Sequence, residues 1–185
     1  MAGYSGIADV SSRLVKLLQE GLCPELIRSP DSIGLCSPED HGDFSVGVHL
    51  YDIRENDEYI NTSMTSVNTG IQRYPSTYLS LHYMITPYSS ADVKYKEAEE
   101  HRILGRIVQI MADHSVMESR QESGAGLDWV IRLMRMTAEE KSRMWSYPGK
   151  AIKTSLFYKV APVEIESART KEIRRVTRAE ISVEE

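Results

Sequence analysis

Cysteine is nearly missing from this chain: its 185 residues hold two, Cys23 and Cys36. A disulfide scaffold needs more, and in a reducing compartment both thiols read as small, part-buried residues. A zinc site would have to recruit His41, with the spacing Cys23-x12-Cys36-x4-His41. That spacing lacks the close cysteine pair by which one turn presents two ligands. Long hydrophobic runs are absent as well. Every apolar stretch is interrupted within a few residues by Ser, His, Lys or Gly, so none can span a bilayer and no membrane partner is expected. The first residues, Met1-Ala2-Gly3-Tyr4-Ser5-Gly6, have neither a basic flank nor an apolar run behind them. This argues against a secretory signal and for assembly in the cytoplasm. Net positive charge is lacking too. A formal charge of −5 does not suit a protein that grips phosphate backbones, so no nucleic-acid partner is expected. Finally, there is no G-x-S-x-G elbow, no phosphate-cradling glycine loop and no H-E-x-x-H. No catalytic residue, cofactor or metal is assigned, and the chain is read as a non-enzyme.

What is present has the balance of one folded domain, with 41% hydrophobic and 26% charged residues. Residues 7–19 repeat Ile7, Val10, Leu14, Leu17 and Leu18 at helical spacing, which predicts an amphipathic helix. Ser5 or Gly6 is placed to cap its start, and Gly21 to form a left-handed exit. Pro24, Pro30 and Pro38 punctuate the next stretch, with residues 33–35 as an edge strand or extended connection. Residues 44–53 alternate Phe44, Val46, Val48 and Leu50 against Ser45, Gly47, His49 and Tyr51, a strand pattern. Residues 54–74 are polar and rich in Asn, Ser and Thr, which predicts a long exposed loop or hairpin. Residues 77–86 carry bulky groups on both faces and so read as a central strand covered on both sides.

A long helix is predicted over residues 91–113. Its stripe is Leu104, Ile107, Val108 and Met111, widened by Ile103 and Ile110. Gly105 inside it is expected to mark close packing against another element. Residues 127–136 alternate again, and Thr137 to Glu140 form a capping box that opens a short helix. Residues 156–165 are the last strand, and Pro162 late in it predicts an edge or a bend. The fold class is α+β, a mainly antiparallel sheet flanked by helices, over residues 1–166. Residues 167–185 have mixed charge and few apolar side chains, and read as an arm ordered only by a partner.

Several segments, in this order, carry a resemblance. They are Ile7-Ala8-Asp9-Val10-Ser11, then Val48-His49-Leu50-Tyr51-Asp52-Ile53-Arg54-Glu55-Asn56, and Leu79-Ser80-Leu81-His82-Tyr83-Met84-Ile85-Thr86-Pro87-Tyr88. After them come Glu100-His101-Arg102-Ile103-Leu104-Gly105, Glu140-x4-Trp145, and Leu156-Phe157-Tyr158-Lys159-Val160. Together they resemble the tail-terminator or cap domain of extracellular contractile injection systems and related phage-tail-like particles. The resemblance implies a fold similar to phage tail terminators and a homohexameric ring. It also implies partners in the sheath protein and the inner tube protein, at the distal end of the particle. Two other readings stand beside it: an adaptor that links another particle component or assembly factor without forming a ring, and a hydrolase using Cys23 or Cys36 with a histidine.

A terminator works through surfaces. An extended arm from a sheath subunit can add a strand to an exposed sheet edge. The strand at Leu156, Phe157, Tyr158 and Lys159, and the segment 33–35, are the candidate edges. Arg169, Arg174, Arg175 and Arg178 in the arm are candidate docking charges, and the polar stretch 54–74 is a further candidate surface. His49 and His82 tempt a metal reading but are expected to be packed histidines bonded to a backbone carbonyl or tyrosine. Trp129 and Trp145 read as core or interface anchors.

Overall fold

Val10, Leu14, Leu18 and Leu22 recur every four residues and lie fully buried along one side of α1 (Gly6–Leu22). In the computed structural model, which describes residues 4–118, 127–146 and 151–173, this helix packs beside α2 (Val93–Asp113). α2 contributes Ile103, Leu104, Ile107, Ile110 and Met111 to the interior. Val108, expected in that stripe, faces outward.

Two glycines separate cleanly here. Gly21 is not a helix exit but lies within α1 on its buried side, where a Cβ would fall 2.5 and 2.7 Å from Ile110 Cδ1 and Cγ1. It is Gly21 that lets the two helices approach. Gly105, where close packing was expected, faces open space with nothing within 4 Å of a Cβ. Gly21→Ala is therefore expected to destabilise the chain, because overpacking costs about 1–3 kcal/mol and exceeds the roughly 1 kcal/mol gained in helix propensity. Gly105→Ala should stabilise it by about 0.5–1 kcal/mol. Urea midpoints of the two variants, shifted in opposite directions, check the pair.

The helices cover one face of a six-stranded sheet ordered β1-β2-β5-β8-β7-β6. Its strands are β1 (Ile33–Leu35), β2 (Val46–Glu55), β5 (Thr77–Pro87), β6 (Val116–Met117), β7 (Trp129–Leu133) and β8 (Leu156–Ile165). All pairings are antiparallel except β1 with β2, so the sheet is mainly antiparallel and the architecture α+β. Alternation decides the faces. Val46, Val48, Leu81, Tyr83, Ile85, Tyr158, Val160 and Ile131 meet the helices in one core. Tyr83, the largest fully buried side chain, shares a 2.8 Å hydrogen bond with Ser11 Oγ on α1, which in turn donates to the Ile7 carbonyl at 2.9 Å.

The opposite face of the sheet carries a second, smaller cluster of Met84, Trp145 and Phe157, flanked by Tyr51, Met134, Met136 and Met144. This cluster sits under α3 (Ala138–Met144), whose start is fixed by the expected capping box. Glu140 N–H donates to Thr137 Oγ1 at 3.2 Å, and Thr137 N–H donates to Glu140 Oε2 at 2.7 Å. β5 is thus buried on both faces over most of its length, as its bulky alternation predicts.

The polar excursion forms a hairpin, β3 (Thr65–Asn68) and β4 (Ile71–Arg73). β4 takes a further strand, β9 (Thr170–Glu172), to make a three-stranded sheet ordered β3-β4-β9.

Candidate assembly surfaces

Two regions read separately in the sequence meet in space. The segment from 167, expected to be ordered only by a partner, begins inside the fold. Its residues Thr170, Lys171 and Glu172 pair with Arg73, Gln72 and Ile71 of the hairpin. Arg73 Nη1 donates to Glu166 Oε2 at 2.6 Å, and the Arg169 guanidinium lies 4.3 Å above the Tyr74 ring, a cation–π contact. Tyr74 N–H donates to the Arg169 carbonyl at 3.0 Å, and Ile173 N–H to the Gly70 carbonyl at 2.7 Å. By strand alternation, Thr170 and Glu172 then aim their backbone groups outward. All four residues of β3 and all three of β9 are exposed, so among the described residues this small sheet presents two open edges. Of the candidate docking arginines, Arg169 lies just before β9. Arg174, Arg175 and Arg178 lie outside the described residues.

The expectation that residues 156–165 form an edge is corrected. β8 is an interior strand, hydrogen-bonded to β5 on one side and to β7 on the other through Tyr158, Lys159, Val160 and Ala161. Phe157 and Tyr158 are only 2% and 3% exposed, Leu156 packs against the main core, and Lys159 is half-buried on the far face. The physical reason lies at Pro162. It falls where the register jumps from Leu81↔Val160 to Leu79↔Val163, and past the last pairing with β7, Val130↔Ala161. Its missing N–H therefore costs the ladder nothing.

β1 is an edge, as expected, but a blunted one. Ser45 N–H donates to the Ser32 carbonyl at 2.7 Å and Cys36 N–H to the Val48 carbonyl at 3.2 Å, so the even residues face β2. The backbone groups of Ile33 point away from β2, yet its N–H bonds to the Pro30 carbonyl. Its carbonyl takes a 3.1 Å bond from Gln19 Nε2. Leu35 is left with outward backbone groups.

The end of the Leu79–Tyr88 segment has a structural role. Lys153 Nζ reaches Glu100 Oε1 at 2.6 Å and the Pro87 carbonyl at 3.2 Å, and sits 5.3 Å from the Tyr88 ring centroid. Ser89 bonds through its N–H to Glu100 and through its hydroxyl to Glu99. The end of β5 is thereby tied to the start of α2. His49 and His82 do not face one another: the register sets His49 against Met84 and His82 against Asp52. Each imidazole has a backbone hydrogen bond, to Cys36 and Asp52 respectively, and burial lowers both pKa values. His41 stacks on Tyr88 at 3.8 Å. Burial pushes both cysteine thiols up in pKa, aided at Cys36 by Asp40, the opposite of what an activated nucleophile needs. Trp145 is a core residue of the smaller cluster, and Trp129 packs half-buried on the larger one. Among the described residues no His, Cys, Asp and Glu side chains group to hold a metal, and no helix is long and apolar enough to cross a membrane.

This fold is shared with two solved structures. The sheath/tube terminator of PVC, an extracellular contractile injection system, in its extended state, superposes with a TM-score of 0.68 at 16% identity, over 97% of this chain. The tube-terminating cap of the anti-feeding prophage does so with a TM-score of 0.69 at 20% identity, over 95% of this chain. The chain spans 63% of the former and 61% of the latter. No curated protein matches it significantly. Residues 9–179 match the family described as the Pvc16 N-terminal domain, and the chain belongs to that family.

Proposed function

We propose that this chain is a structural terminator of a contractile injection particle, closing the distal end of sheath and inner tube as a homohexameric ring. The observation that carries the reading is the fold shared, over nearly the whole chain, with a sheath/tube terminator and a tube-terminating cap. A growing tail is an open polymer, because its subunit contact never closes on itself. A closed ring seated on the last layer ends the repeat. Individually weak contacts suffice, since a ring makes each of them several times over. The reading requires no catalytic group. Particles assembled without this chain are expected to be uneven in length and unfinished at the end away from the baseplate. Electron microscopy showing uniform, closed tails would reject the reading.

Of the open edges, the one proposed for an incoming strand is β9. Thr170 directs its N–H away from the hairpin, so Thr170→Pro removes a donor from the open edge without touching the β4 ladder. Lys171→Pro instead breaks that ladder. The expected result is that Thr170→Pro leaves the melting temperature of the chain nearly unchanged and sharply lowers the fraction of closed tails, while Lys171→Pro lowers both. Normal closure by Thr170→Pro would remove β9 from the contact.

A further inference from the structure

The two sheets differ at their margins. In the larger one, the Ile33 N–H and carbonyl on β1 are taken up by Pro30 and Gln19, and β6 is two residues long. The three-stranded sheet has neither device. All four residues of β3, Thr65-Ser66-Val67-Asn68, are exposed, and none is charged or a proline. Folded chains commonly guard such an edge with charge, proline or a covering segment; left bare, it is ready for another strand. On the other side β9 is open as well, and it carries Lys171 and Glu172.

Backbone directions follow from the ladder. Gly70 and Tyr74 bond to β9, so Gln72 between them faces β9 too, while Ile71 and Arg73 turn to β3. Thr65 stands opposite Arg73 and therefore faces β4. Met64 and Ser66, on either side of it, direct N–H and C=O outward, as Thr170 and Glu172 do on β9. The register shift after Ser66 takes Val67 out of that alternation, so the regular part of the edge is Met64 to Ser66. β3 and β9 are both antiparallel to β4, so they run parallel to each other.

We infer that the open edge of β9 pairs with β3 of a second copy of this chain, in a parallel seam repeated from subunit to subunit. The inference names the strand that arrives at β9 and rests on the ring reading. Rotation about a ring axis preserves strand direction, so β9 of one copy meets β3 of the next with both pointing the same way. The contact is heterologous, the kind from which rings close. Parallel pairing seats Ser66 between Thr170 and Glu172. Thr170 N–H then donates to the Met64 carbonyl, Ser66 N–H to the Thr170 carbonyl, and Glu172 N–H to the Ser66 carbonyl. Thr65 falls opposite Thr170 and Ser66 opposite Lys171, so no like charges meet. Two β9 strands do not pair as well. Every antiparallel register that joins their outward groups sets Lys171 against Lys171, Arg169 against Lys171, or Glu172 against Glu172, and like charges directly opposite repel. Of the small sheet's two edges, β3 is the one that receives β9 without that conflict.

The test is cross-linking of particles assembled with the full chain, carrying Ser66→Cys together with Lys171→Cys, by a short bismaleimide. A denaturing gel should show a ladder rising by one chain mass at each step. Either single variant, and the parent with its own Cys23 and Cys36, should stay monomeric. Should the first pair not fold, Thr65→Cys with Thr170→Cys, the neighbouring pair across the seam, repeats the test. A dimer from a single variant would indicate like strands meeting, and a cross-link to another particle protein would give β9 or β3 a different partner; either overturns the inference. Tails that need this chain to close yet carry no ladder would reject the seam alone. Tails that close without the chain would reject the terminator reading, and the seam with it.

Discussion

Phe157→Ala is expected to cost the isolated chain about 3–5 kcal/mol, as deletion of a buried aromatic ring does when its surroundings relax only in part. Phe157 is 2% exposed. Its ring meets Tyr51 edge-on at 5.8 Å between centroids and packs with Met84 and Trp145. The methionines that border it, Met134, Met136 and Met144, are flexible and fill part of the space, which places the cost toward the lower end. Urea unfolding of the purified chain measures this directly. The result separates two ideas of what Phe157 does. A contact residue on an open edge would lose assembly and keep stability. A residue that fastens the α3 segment to the sheet would lose stability before any partner is added. An unchanged midpoint would contradict its place in the cluster.

Between pH 10 and pH 12 the chain should lose roughly 4 kcal/mol of stability through two tyrosines alone. Tyr83 is fully buried and Tyr158 3% exposed, and burial pushes both phenols up to about 12. The unfolded chain releases these protons near the ordinary value of 10.0. A folded pKa above the unfolded one means that the folded state holds its proton more tightly. The contribution is therefore complete below pH 10 and disappears as pH rises through about 12. The Ser11 hydroxyl opposes the shift at Tyr83 slightly, because it can also bond the phenolate. Tyr83→Phe should remove about half of the alkaline loss, read as the pH dependence of the thermal midpoint. A variant whose alkaline profile matches the parent's would show that Tyr83 titrates unhindered.

Local patterns in the sequence carry most of the fold. The four-residue spacing from Val10 to Leu22, the double-sided bulk of residues 77–86 and the Thr137–Glu140 capping box are each decided by neighbours in sequence, and each stands in the structure. The misreadings share a cause: a proline or glycine shows that something is special without showing which neighbour makes it so. Pro162 suggests an edge or a bend, and it is the irregularity, a register jump at its position, that lets it lie within an interior strand. Gly21 and Gly105 look alike in sequence, but Gly21 falls three residues after Leu18 and seven after Leu14, on the buried stripe. That phase was the available signal. β9 carried no signal of its own. A three-residue charged strand pairs with a hairpin nearly a hundred residues earlier, and nothing local announces so distant a partner. Cross-strand neighbours are harder still: Arg132, Lys159, His82 and Asp52, one from each of four strands, line up only once the registers are set.

The side-chain amide of Gln19 reaches both the Pro30 and the Ile33 carbonyls at 3.1 Å. One residue of a helix thus closes off part of the outermost margin of the larger sheet. At the other margin the terminal strand is two residues long. Copies of the chain crowded together find little at these two margins on which to stack sheet against sheet. In the proposed terminator role, the larger sheet would then not seed fibres of its own before a polymer end is reached.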